Sequence, residues 1–238
     1  MASRRLEAAE PLSQETHWIP LSDLMTGLMV IFLLIAVMYM LKVEADTDRI
    51  RNIAIAYNEI RDGLFIDLHH EFESDLIRWH SELIKSDLTI RFTEPEVLFA
   101  TGSSELKPEF KGILNDFFPR YLRILTSPKY RGSIAEIRIE GHTSSDWTGQ
   151  TSAQDAYFHN MELSQARTRS TLSYVFGLPS VDRDRAWLTR YVTANGLSSS
   201  RPILDSNHRE DAERSRRVEF RVRTDAENRI ATIMQVAR

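Results

Sequence analysis

The run Ile134-Ala135-Glu136-Ile137-Arg138-Ile139-Glu140-Gly141-His142-Thr143 decides the fold. Apolar and charged residues alternate in it up to Glu140, the period of a strand with one buried face, and Gly141-His142-Thr143 closes it in a tight turn. Working outward, Phe110 to Leu125 and Gln154 to Phe176 read as helices, the second with Leu163, Ala166 and Ser170 on one side. Leu88-Thr89-Ile90-Arg91-Phe92, Val97-Leu98-Phe99, Leu188 to Ala194 and Arg217 to Arg223 read as further strands, with Glu94-Pro95 turning between the first two and residues 100–108 forming a loop. Strands and helices interleave. This predicts an α/β (α+β) sandwich with helices on one face of a mixed sheet.

Upstream, Ile50, Ile53, Tyr57, Ile60, Leu64, Leu68, Phe72, Leu76 and Leu83 recur mostly at steps of three and four, so Asp46 to about Ser86 reads as a long amphipathic helix. Gly63 is its expected break, since glycine inside a helix costs up to about 1 kcal/mol relative to alanine. The second half, with Phe72 and Trp79, is expected to pack on its own domain; the first half suits either that or self-association.

Further upstream, Leu24 to Leu41 carries no charge. With Ile19 to Asp23 added, a helix rising about 1.5 Å per residue reaches the roughly 30 Å of a bilayer core. Trp18 and Tyr39 are placed as interfacial anchors, and Lys42 can snorkel outward. A cleaved signal peptide is the competing reading, but the region before the run is weakly basic and Val43-Glu44-Ala45 is a poor cleavage site. The run is read as a retained span, residues 18–42. Asp23 sits near its start, with Thr26 and Gly27 three and four positions on. It has two readings: a first-turn acid meeting the helix dipole, or a carboxylate that carries ions.

With a formal charge of −4 over 238 residues, and with basic and acidic residues intermixed, nothing calls for nucleic acid. The absence of cysteine excludes disulfides and thiolate metal sites. His142 beside Ser144 and Ser145 has neither a Gly-x-Ser-x-Gly elbow nor an evident acid partner, so a hydrolase is not expected. His69-His70-Glu71 lacks a second histidine at metalloprotease spacing, and no glycine-rich phosphate loop occurs. No catalytic site, cofactor or metal is expected. His142 is assigned to the turn, and Arg216 and Arg217 to sheet-edge packing and surface charge.

Five pieces follow in order: Val97-Leu98-Phe99 with its loop, Ile137 to Thr143, Asn160-Met161-Glu162-Leu163-Ser164-Gln165-Ala166-Arg167, Asn195 to Ile203, and Ser215-Arg216-Arg217-Val218-Glu219-Phe220. Together they resemble the OmpA-like peptidoglycan-binding domain across residues 87–225. The resemblance implies a site for the diaminopimelate of the stem peptide, held in that family by a strand-end aspartate in Gly-His-Thr-Asp and a helix arginine in Asn-x-x-Leu-Ser-x-x-Arg. The arginine falls on Arg167, with Asn160, Leu163 and Ser164 at their matching places. A planar guanidinium fork suits a carboxylate. The aspartate's slot holds Ser144, after Thr143, and Asp146 or Asp155 is the expected source of the missing charge. His159 stands where the family often has tyrosine.

A single span with an early aspartate, followed by such a domain, resembles the B subunits of proton-driven stators related to MotB. Leu21-Ser22-Asp23-Leu24-Met25-Thr26-Gly27-Leu28-Met29 is most similar to the subunits of Zorya anti-phage systems. The resemblance implies two B chains inside a ring of five MotA-like A subunits in the inner membrane, with ions passing at Asp23 and Thr26. It places residues 1–17 in the cytoplasm as a tail, 43–86 in the periplasm as a linker helix, and leaves 226–238 as a C-terminal tail. A flagellar MotB-type subunit, or a passive OmpA-like tether without ion traffic, are the alternatives.

Overall fold

The computed structural model describes residues 18–93, 95–148 and 152–225; the two expected tails, the Glu94 part of the expected turn and residues 149–151 lie outside the described residues, as does the expected anchoring side chain of Trp18. The chain divides into two compact units, Met1–Asn52 and Ile53–Arg238. Helix α1 (Trp18–Arg78) contributes to both.

In the first unit, α1 contains a stretch within Leu21–Arg51 that is long and apolar enough to cross a membrane, with a mean hydropathy of 2.6. No acidic residue falls in the first turn of α1. Asp23 therefore lies too far along the helix for the dipole-capping role, whose effect fades beyond the first turn. Thr26 Oγ1 donates to the Ser22 carbonyl at 2.7 Å, a back-bond within the helix.

The second unit is built on a five-stranded sheet of order β1-β2-β5-β3-β4, formed by β1 (Ser81–Ile84), β2 (Thr89–Phe92), β3 (Ile134–His142), β4 (Val192–Gly196) and β5 (Arg217–Thr224). Only β3 and β4 run parallel. Ile90, Phe92, Ile137, Ile139, Val218 and Phe220 line one face and are buried. Helix α3 (Pro108–Leu125) lays Phe110, Leu114, Phe117 and Tyr121 onto that face, with Phe117 5.0 Å from Phe220 between ring centroids. Helix α4 (Ala153–Phe176) covers β3 and β4 on the same side. The opposite face carries Arg91, Glu136, Arg138, Glu140, His142, Arg217, Glu219 and Arg221. Helices on one face of a mixed sheet is the architecture the sequence predicted.

Four local expectations are corrected. Gly63 does not break α1, which continues to Arg78. A Cβ at Gly63 would meet Tyr130 Oη at 3.2 Å, so this glycine makes room for a neighbour. The helix expected to reach Ser86 ends eight residues earlier, and Ser81–Ile84 is an edge strand paired with β2. Leu64, Leu68 and Phe72 of α1 are fully buried in the core, and Arg120 fixes the same stretch through Glu71 at 2.8 Å and Asp75 at 2.7 Å. Val97-Leu98-Phe99 is not a strand: α2 (Pro95–Leu98) is a single helical turn, and Phe99 makes an isolated bridge to Leu106. Leu188 lies in α5 (Arg185–Tyr191), so the strand begins at Val192.

The buried stripe of α4 lies on a different side from Leu163, Ala166 and Ser170. It is Ala156, Asn160, Ser164, Thr168, Thr171 and Val175, small and polar. The cause is two glycines opposite. A Cβ on Gly141 would meet Thr168 Cγ2 at 2.7 Å and one on Gly196 would meet the Gln165 backbone nitrogen at 2.3 Å. Helix and sheet approach so closely that bulky side chains have no room.

Candidate functional site

Helix α4 begins on a firm cap: Ser152 Oγ accepts from the Asp155 amide at 3.1 Å and donates to the Asp155 carboxylate at 2.7 Å. Asp155 is thus engaged at the helix start. From there, steps of three and four bring Asn160, Leu163 and Arg167 to one side, over a cleft of about 510 Å³. Phe99, Thr101, Gly102, Lys107, Thr143, Ser144, Asp146, Trp147, Thr148 and Arg216 complete its lining. Five of the six residues expected at the peptide site therefore share one cleft: Thr143, Ser144, Asn160, Leu163 and Arg167. The sixth, His159, is exposed and stacks on the cleft residue Trp147, with ring centroids 5.1 Å apart at 18°. Of the two candidate acids, Asp146 lines the cleft.

Arg167 is oriented by uncharged groups. Its Nε donates to the Ser103 carbonyl at 2.9 Å and its Nη2 to the Ala100 carbonyl at 3.3 Å, and the guanidinium lies 5.0 Å from the Phe99 ring centroid. Burial, and then the charge of Arg216 nearby, hold its pKa down to about 10, so it stays protonated at neutral pH. No carboxylate offsets it among the described residues. Two guanidiniums thus share a polar cleft, an arrangement that attracts an anion.

Other groups are ready for a ligand. Thr143 Oγ1 is buried with no hydrogen-bond partner among the described residues, while the Thr143 amide donates to the Ser198 carbonyl at 3.0 Å. Asn160 Nδ2 donates to the Asp146 carbonyl at 3.2 Å and pins that loop. Ser145 is occupied elsewhere, its amide donating to Glu210 at 3.0 Å and its hydroxyl also bonding that carboxylate.

The chain is 48% identical over 219 residues to Zorya protein ZorB of Escherichia coli, with 92% of each chain covered. The chain belongs to the ZorB family. No protein-family model matches it. Among solved structures, this ZorB-family chain is similar to a MotB-like protein from Desulfovibrio vulgaris (TM-score 0.45, 24% identity, 75% of this chain and 98% of that one). It is also similar to the cell wall anchor of the T6SS from Pseudomonas aeruginosa (TM-score 0.45, 21% identity, 66% and 96%).

Three assignments from the sequence are corrected at this site. Arg216 lines the cleft and does not belong to surface packing. Arg217 is buried, with Nε 2.6 Å from Glu219 Oε1. His142 is the last residue of β3, not part of the turn, and is 3% exposed. Gln165 was missed altogether: it accepts from the Gly196 amide at 2.7 Å and donates to the Ala194 carbonyl at 3.3 Å, tying α4 to β4. Its place between Ser164 and Arg167 in the motif was the only available signal.

Proposed function

We propose that the chain is the non-enzymatic B subunit of a proton-driven rotary complex of an anti-phage defence system, held in the inner membrane by residues 18–42 and gripping peptidoglycan through the Arg167 cleft. The observation that carries the reading is the pair of guanidiniums, Arg167 and Arg216, lining one cleft, with no carboxylate offsetting Arg167 among the described residues, in a chain of the ZorB family. The stem peptide's carboxylate meets Arg167, already aimed by the Ser103 and Ala100 carbonyls. Its ammonium meets Ser144 and Asp146, and Thr143 Oγ1 gains the partner it lacks.

At the other end, Asp23 alternates between a neutral and a charged carboxyl against helices of a MotA-like (ZorA-type) A subunit. A carboxylate in the apolar interior costs about 2.5–3.5 kcal/mol on insertion scales at the centre and less near the end. Each protonation relieves that cost and each deprotonation restores it, which biases how five A subunits contact two B chains. The 1–17 tail is cytoplasmic in this reading, and the linker and the OmpA-like domain, residues 43–225, are periplasmic.

The wall-binding half is tested by sedimentation. Detergent-solubilised full-length protein should pellet with purified peptidoglycan, and Arg167→Ala should bind at least about tenfold more weakly, as expected for loss of a charge-assisted pair. Equal pelleting of the two proteins removes Arg167 from the site.

A further inference from the structure

Glu140 on β3 and Glu219 on β5 stand directly opposite each other across the antiparallel ladder. Like charges in that position destabilise a sheet. Both are deeply buried, with 2% and 5% of their side chains exposed, and so is His142 at 1%. Period 2 puts His142 on the same face as Glu140, beside the pair. Its Nε2 lies 3.9 Å from Glu140 Oε2 and 3.6 Å from Glu219 Oε2.

The neighbouring cations do not resolve this arrangement. Arg91 Nε and Arg217 Nε both bond Glu219 Oε1, at 2.7 and 2.6 Å, and Arg91 also pairs with Glu82. They fix one oxygen of Glu219 and leave Oε2 turned to the imidazole. Glu140 has Arg201 Nη1 at 3.8 Å, beyond hydrogen-bond reach. Glu140 Oε2 and both nitrogens of His142 are buried without a hydrogen-bond partner among the described residues. Buried polar atoms are rarely left so, and Glu140 Oε2 and His142 Nε2, both orphaned and both beside Glu219 Oε2, are a consistent sign of a missing partner.

We infer that Glu140, His142 and Glu219 form a binding site for a divalent transition-metal ion of the zinc class. One donor atom from each residue falls within 4.8 Å of the others. With sides of 3.9 and 3.6 Å and a third of at most 4.8 Å, the triangle encloses a point roughly 2.4 Å or less from each donor, a few tenths of an ångström beyond the Zn–N and Zn–O bonds of about 2.0–2.2 Å. One imidazole and two carboxylates, with no thiolate, is a donor set that zinc accepts. The ion separates the opposed glutamates and joins β3 to β5. Its ligands adjoin the cleft in sequence: Thr143 and Ser144 follow His142, and Arg216 lies three residues before Glu219. The metal is therefore a structural clamp on the strands that present the cleft, and its existence does not depend on what the cleft binds.

The test is zinc binding by the full-length protein in detergent, stripped with chelator and then equilibrated with Zn²⁺ alone. The wild type should hold one more tightly bound zinc per chain than His142→Gln or the near-isosteric Glu140→Gln, with at least tenfold weaker affinity in each variant. Its thermal midpoint should rise with zinc while theirs does not. The comparison discounts exposed histidines such as His69 and His159, which all three proteins share. A wild type that takes up no zinc at micromolar concentration, or variants that match its uptake and its thermal shift, overturns the site. The first of these outcomes needs no variant to fold.

Discussion

Arg167 combines a partly buried position, two carbonyl acceptors and no offsetting carboxylate among the described residues. A lysine there keeps the charge but loses the planar fork, so Arg167→Lys should recover only a small part of the peptidoglycan binding that Arg167→Ala loses, measured by the same sedimentation. Gly196 faces α4 more closely than any side chain permits, with a Cβ 2.3 Å from the Gln165 nitrogen and 2.6 Å from its Cα. Gly196→Ala should destabilise the domain by about 2 kcal/mol or more and weaken wall binding with it, because α4 carries Arg167. Near-UV circular dichroism during thermal unfolding reads the first effect. At this scale the sequence was informative where spacing is local. Asn160, Leu163, Ser164 and Arg167 fall within two turns of one helix, so their association was legible. Arg216 at the cleft and Glu219 opposite Glu140 depend on strand pairing between distant segments, which no local period reveals.

Among the elements, the second half of α1 packs on its own domain, as its apolar spacing implies: Leu64, Leu68 and Phe72 are fully buried, and Phe72 lies 5.3 Å from Phe117 between ring centroids. Phe72→Ala should cost about 3–5 kcal/mol of domain stability, and a fragment beginning at Asp87 should fail to fold because it lacks both this stretch and β1. A soluble, cooperatively melting 87–225 fragment contradicts that view. Asp67, also on α1, accepts from Lys129 Nζ at 2.8 Å and Tyr130 Oη at 2.6 Å. The Lys129 bond, then the Tyr130 bond, hold its carboxyl below the usual range. A depressed folded-state pKa adds stability above the unfolded value of about 3.9 and loses it as pH falls through the folded value. Asp67→Asn should therefore flatten the acid limb of the stability profile below about pH 4, followed by urea unfolding. The helix-to-strand change at residues 78–81 was invisible to periodicity because Ser81–Ile84 is a short edge strand with only partial burial. The α4 stripe was not legible for a related reason: hydrophobicity marks a buried face poorly when glycines on the sheet admit only small residues.

For the molecule as a whole, the mixed sheet with helices on one face followed from interleaved periods, and the membrane-length segment from its unbroken apolar run. The proposed ion-carrying role rests on Asp23, an acid more than a turn inside an apolar helix and so without a capping role. The measurement that tests the account most directly is phage plating on cells carrying the complete defence system with Asp23→Asn, a change that keeps the size of the side chain and removes its titration. The account predicts that protection is lost although the variant reaches the inner membrane at wild-type level and still binds peptidoglycan; protection at the wild-type level contradicts it and leaves a passive tether.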